Sequence, residues 1–116
     1  ELARAADISF VGVGQMSDDA PLLKDGFVSL DELREMQRLG AAGEVAGWVY
    51  DSTGRYMDFG INNRTGGVRV EPGRDALVIG IAAGPAKVGA MRAALSGNIL
   101  NGLITDETTA EALLRD

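Results

Sequence analysis

Sixteen glycines in 116 residues, set where apolar runs end, constrain this chain more than any other feature. Glycine that closes short β-rich runs just before helical ones punctuates strand, loop and helix; a linker would spread it evenly. Ile8-Ser9-Phe10-Val11-Gly12-Val13-Gly14 is one such run, short and glycine-terminated, and it predicts a buried strand. Ala76 to Ala83 is the clearest buried strand and breaks at Gly84-Pro85. Val45 to Tyr50 is a further β-rich run, followed by turn chemistry in Asp51-Ser52-Thr53-Gly54. Gly102-Leu103-Ile104-Thr105 is a short strand. Tyr56 to Gly67 is polar and glycine-flanked and reads as an irregular loop, and the Ala-rich residues 1–6 read as the tail of a helix that begins before Glu1.

Two helices fall between these strands and a third follows the last of them. Ser29 followed by Glu32 forms a capping box, and the helix it starts runs to Leu39 with Leu30, Leu33 and Met36 or Gln37 as its stripe. Gly40 is placed as its C′ glycine. Pro85 suits the first turn of a helix carrying Val88, Met91 and Leu95, ended by Gly97. Asp106 or Thr105 caps a last helix with Ala110, Leu113 and Leu114 as its apolar face. Alternating strand, short loop and helix predicts an α/β fold with a mostly parallel sheet. Right-handed crossovers then gather the strand carboxyl ends along one edge, where open α/β sheets bind ligands.

Composition narrows the chemistry. A hydrophobic content of 46% with 24% charged residues is globular. Seventeen acids against eleven bases give a net charge of −6, the wrong sign for gripping a duplex backbone. The chain has no Cys, so disulfides and thiolate chemistry are excluded, and no His, which removes the commonest general base and metal ligand. No apolar run reaches the roughly 20 residues that span a bilayer. A cytoplasmic protein without a cofactor is the expectation.

Three segments end near the expected ligand edge. Gly12-Val13-Gly14-Gln15 lets backbone approach an anion, or is a tight turn only; the full dinucleotide fingerprint is absent, since Asp18 and Asp19 follow. Gly84-Pro85-Ala86-Lys87 puts a lysine in the first turn of a helix, where the dipole disfavours it; it serves something negative, or it points to solvent. Glu44, at the entry to a strand, accepts hydrogen bonds from a polyhydroxylated ligand, pairs with Lys87, or is a surface acid. Asp106 and Glu107 are read as capping and first-turn residues in preference to metal ligands, and Arg64 in the polar loop is a further phosphate-binding candidate.

These segments together resemble a family. Asp7 to Gly14 is similar to its "AD-x-x-x-VGIG" strand, and Gly26-Phe27-Val28-Ser29 with Glu32-Leu33 to its "GYLS-x-EEL". Gly40 to Gly47 is similar to "GAVGDICG", and Val49 to Gly54 to "FFD-x-xG". Ala82 to Lys87 is similar to "AGG-x-x-K", with Ala83 in place of a glycine, and Leu103 to Ala110 to "LITDE-x-TA". Order and spacing over residues 5–115 identify the effector-binding domain of SorC/DeoR-type bacterial transcriptional regulators.

That resemblance implies a three-layer α/β/α arrangement like sugar-phosphate isomerase, deaminase and CoA-transferase-like folds. It also implies a phosphorylated sugar as effector. On the family's pattern, residues 1–116 are the C-terminal portion of the domain, without its first half and without the N-terminal helix-turn-helix through which DNA is bound. Homo-oligomerisation is implied as well. Carried over by motif, Glu44 stands for the family's hydroxyl-contacting aspartate and Lys87 for the lysine at the ligand's polar end. Gly12, Gly14, Gln15 and Gly84 fall in the matching pocket loops. An enzyme of the same architecture, an isomerase or deaminase, is the rival reading; with no His or Cys, Glu44 would have to be its base.

Overall fold

The computed structural model describes residues 8–57, 70–71 and 77–115. Five strands and four α-helices form in the order β1 (Ile8–Gln15), α1 (Pro21–Lys24), α2 (Leu30–Arg38), β2 (Ala41–Val45), β3 (Trp48–Asp51), β4 (Leu77–Ile81), α3 (Val88–Ser96), β5 (Gly102–Ile104) and α4 (Glu107–Leu114). A 3-10 turn, Pro85–Lys87, leads into α3. The strands make one sheet in the order β3-β2-β1-β4-β5.

The α/β expectation holds, but the sheet is mixed. β1 pairs in parallel with β4, and β4 with β5, while β1–β2 and β2–β3 are antiparallel. The antiparallel half exists because Val45 to Tyr50 is not one strand. It folds back at Ala46 (φ 54) and Gly47 (φ 87), with Val45 opposite Trp48. Two positive φ values at the central residues make the two-residue turn whose twist suits a hairpin. Alanine in the first of those positions hid it from the sequence.

Local chemistry sets the helices where it was expected. The Ser29 hydroxyl accepts from the Glu32 N–H at 3.1 Å, and the Glu32 carboxylate accepts from the Ser29 N–H at 2.9 Å. α2 stops at a left-handed Gly40 (φ 101). Asp106 caps α4, accepting from the Thr109 N–H at 2.8 Å, so the capping reading of this acid stands. α1, a short proline-led helix, had no sequence signal. Leu114 does not join the apolar face of α4: it is exposed in the last turn. Arg64 and residues 1–6 lie outside the described residues, as does most of the polar loop.

Side chains alternate across the sheet, so each strand feeds two cores. On one face Val13, Val45, Tyr50 and Val78 pack with Ala90, Met91 and Ala94 of α3. On the other, Val49 packs with Met16, Leu22 of α1, and Leu33 and Met36 of α2. Helices therefore lie on both faces. Tyr50 is wholly buried and its hydroxyl donates to the Ala90 carbonyl at 2.8 Å, which ties β3 to α3. Burial pushes the phenol well above its usual range, so it remains a donor. Among the described residues no helix is long and apolar enough to cross a membrane.

The β3 turn and the end of α3 meet backbone to backbone. Gly54 (φ 81) lies against Gly97, and a Cβ on Gly54 would collide with the Ala93 carbonyl and sit 2.6 Å from the Gly97 Cα. Backbone atoms cannot swing aside as a flexible side chain can. Gly54→Ala should therefore lower stability by at least about 2 kcal/mol in urea denaturation. Gly89→Ala, where nothing lies within 4 Å and the backbone is helical, should raise it by up to about 1 kcal/mol.

Candidate functional site

The chain leaves β1 and β4 toward opposite faces of the sheet. After β1 it runs to α1 and α2 on one side; after β4 it runs through Pro85–Lys87 to α3 on the other. Neighbouring parallel strands whose connections diverge leave a crevice at their carboxyl ends. A cleft of about 350 Å³ opens there, lined by Gly12, Val13, Gly14, Pro21, Glu44, Ala46 and Lys87. That volume falls in the range of small-molecule sites.

Four of the six residues singled out from the sequence line this cleft: Gly12, Gly14, Glu44 and Lys87. The glycines are not the strand-end loop expected of them. β1 continues to Gln15, and its backbone pairs with β2 over residues 13–15 and with β4 over residues 8–12. What the glycines give the cleft is missing side chains. A Cβ on Gly14 would collide with the Glu44 carboxylate, whereas a Cβ on Gly12 would meet nothing within 4 Å.

Gln15 and Gly84 are not among the lining residues. Gln15 follows Gly14 by one position, so strand alternation sends its side chain off the other face. It reaches Asp19 instead. Gly84 is a left-handed corner (φ 112) whose N–H donates to the Thr109 hydroxyl at 2.9 Å. It shapes the turn that presents Lys87. Thr109, a buried polar residue of α4, was not identified from the sequence as a support for this corner. Nor was Pro21, which no motif marks.

Glu44 lies inside β2, opposite both Gly14 and Val49, rather than at a strand entry. Its carboxylate accepts from the Gly47 N–H at 2.9 Å, so the hairpin turn clamps it. Burial raises its pKa above the ordinary carboxylate value; the Gly47 N–H and the Lys87 charge pull it back, and Asp25 adds a small further rise. Lys87 lies at the end of the 3-10 turn and serves as the N-cap residue of α3. The two charges share the cleft, and among the described residues no direct ion pair joins them. A carboxylate accepts from hydroxyls and an ammonium donates to an anion. A cleft with one of each, both partly withdrawn from water, suits a ligand with a hydroxylated body and a negative end.

The chain is similar to known proteins over nearly its whole length. Residues 1–115 match the family described as "Putative sugar-binding domain", and the chain belongs to that family, the sugar-binding domain of SorC/DeoR-type transcriptional regulators. The chain is 36% identical over 109 residues to the erythritol catabolism regulatory protein EryD of Brucella abortus, covering 94% of this chain and 34% of that protein. It is 38% identical over 116 residues to the transcriptional regulator LsrR of an Enterobacter species, covering 97% and 36%. The crystal structure of the full-length sorbitol operon regulator SorC from Klebsiella pneumoniae superimposes with a TM-score of 0.83 at 29% identity, covering 96% of this chain and 36% of that one. The chain thus spans about a third of the length of the curated relatives it matches. Those relatives are transcriptional regulators, not enzymes.

The raised pKa of Glu44 makes a stability prediction. The folded state favours the protonated carboxyl, so ionisation opposes folding. Stability should fall as pH rises from the ordinary carboxylate pKa through the raised one. Glu44→Gln keeps the acceptor for the Gly47 N–H and removes the charge. Its Tm should lie increasingly above that of the parent chain as pH rises from about 4 to 7, as followed by circular dichroism.

Proposed function

We propose that this chain is the effector-binding part of a sugar-responsive transcriptional regulator and that its effector is a phosphorylated sugar. Glu44 accepts hydrogen bonds from the sugar hydroxyls, and Lys87 at the amino end of α3 holds the phosphate. The single observation that carries this reading is the convergence of Glu44 and Lys87 on one cleft at the switch point of the sheet. Gly12 keeps the cleft floor bare so that a ring can lie against the strand, and Gly14 makes room for the Glu44 carboxylate. The names of the relatives associate them with erythritol and sorbitol, both polyhydroxylated, which suits a carboxylate acceptor.

On this reading the effector acts by population shift. It binds best when the loop after β1, the hairpin turn and the corner at Gly84 close around it, and it biases the regulator toward that arrangement. DNA contact belongs to a helix-turn-helix elsewhere in the polypeptide, consistent with the acidic charge of this part. The regulator works in the cytoplasm as a homo-oligomer. Its scaffold is that of sugar-phosphate isomerases, deaminases and CoA-transferase-like folds, used here for sensing.

Titration calorimetry of the full-length regulator with a panel of sugar phosphates and the matching free sugars tests this. A phosphorylated member should bind more tightly than its free sugar. Lys87→Ala should weaken the phosphorylated ligand by roughly 10- to 150-fold, the loss of a hydrogen bond to a charged group, with little effect on the free sugar. Equal affinity for both forms in the parent protein would overturn the phosphate assignment.

A further inference from the structure

β2 and β3 do not pair evenly. Ala41 lies opposite Asp51 and Gly43 opposite Tyr50, so Ala42 is an extra residue that bulges from the ladder. The bulge sets a residue without a side chain directly across from Tyr50, the largest fully buried side chain among the described residues. Tyr50 fills the space over Gly43 and reaches α3. A Cβ on Gly43 would sit 2.5 Å from the Tyr50 hydroxyl and 2.7 Å from the Ala90 Cβ. The same hydroxyl donates to the Ala90 carbonyl at 2.8 Å. Gly43, Tyr50 and Ala90 thus make a stack with no room for a methyl group, and it fixes how closely the first turn of α3 approaches β2.

Both charged residues of the cleft adjoin this stack. Glu44 follows Gly43 in β2, and strand alternation sends its side chain off the opposite face. Lys87 is the N-cap of the helix whose first turn holds Ala90. Lifting α3 off the sheet therefore carries the ammonium away from the carboxylate. We propose that Tyr50 is a positioning residue: its seat between Gly43 and Ala90 sets the gap from Glu44 to Lys87, and with it the length of ligand that the cleft prefers. This rests on reading the cleft as the site of a phosphorylated sugar. Neither Tyr50 nor Ala90 lines the cleft, so both act on the ligand only through the charges they space. Tyrosine suits the part, because its rigid ring sets a distance and its hydroxyl holds the helix at the end of it. Phenylalanine would fill nearly the same space with no grip on α3.

Two variants change the stack in different ways. Tyr50→Phe releases the helix, and Gly43→Ala wedges it outward; either serves if the other fails to fold, as judged by circular dichroism. Leu33→Ala, in the core on the other face, is the control for lost stability alone. Calorimetry of the full-length regulator compares ribose 5-phosphate with glucose 6-phosphate. Both stack variants should shift the affinity ratio toward the longer ligand by about 2- to 10-fold, the lower range of couplings between residues in contact. Leu33→Ala should leave the ratio unchanged. An unchanged ratio in the stack variants, or the same shift from Leu33→Ala, would overturn the proposal. A parent protein that binds no sugar phosphate would sink the effector reading instead, and the spacer is then judged without ligand, from the Glu44 titration followed by carbon NMR with labelled glutamate. The Lys87 charge pulls the Glu44 pKa down, so Lys87→Met should raise it in the parent, and raise it less in the Tyr50→Phe background. An equal rise in both backgrounds would refute the spacer.

Discussion

Alternation along β1 is the constraint on which the rest depends. One side of that strand carries Val11 and Val13 into the core with α3. The other carries glycine at 12 and 14. Because the period is two, the same eight residues serve packing and the cleft without compromise between them. A slip of one residue in register would put valines into the cleft and glycines into the core. The pairing of Gly14 with Glu44 fixes that register from the β2 side, since the carboxylate occupies the space a side chain at 14 would need.

Glu44 shows how a site is held at the expense of the fold. A carboxylate withdrawn from water is unfavourable unless hydrogen-bonded, and one hairpin N–H offsets only part of the penalty. The positive φ values at Ala46 and Gly47 turn that N–H toward the carboxylate. The turn that reverses the chain is thus the same feature that orients the acid. Lys87 faces the opposite difficulty. A cation at the amino end of a helix meets the positive end of the dipole and gains nothing locally. Both residues are locally disfavoured where they stand, which is common where side chains are retained for binding.

Much of this was legible in the sequence wherever the cause is local. The capping box of Ser29 and Glu32, the closing Gly40 and the Asp106 cap depend on chemistry within four residues, and all three form. The strands at residues 8–14 and 76–83 show as apolar runs ended by glycine. The hairpin did not show, because Ala-Gly is a poor turn signal and only the tertiary pairing of β2 with β1 enforces it. Which face a residue takes was likewise invisible. Gln15 was grouped with Gly12 and Gly14 by nearness in sequence, and strand geometry separates them. Glu44 and Lys87 were found through motif order, whereas the supports around them, Thr109 and the Gly47 N–H, depend on contacts across the fold.

The hydrogen bond from the Gly84 N–H to the buried Thr109 hydroxyl carries a mechanical consequence. It fastens the corner bearing the cleft's ammonium to α4, the helix that packs on α3. Any excursion of that corner must either stretch the bond or drag the helix along. Displacement of the crevice mouth and displacement of α4 are thereby tied together through a single backbone-to-hydroxyl link.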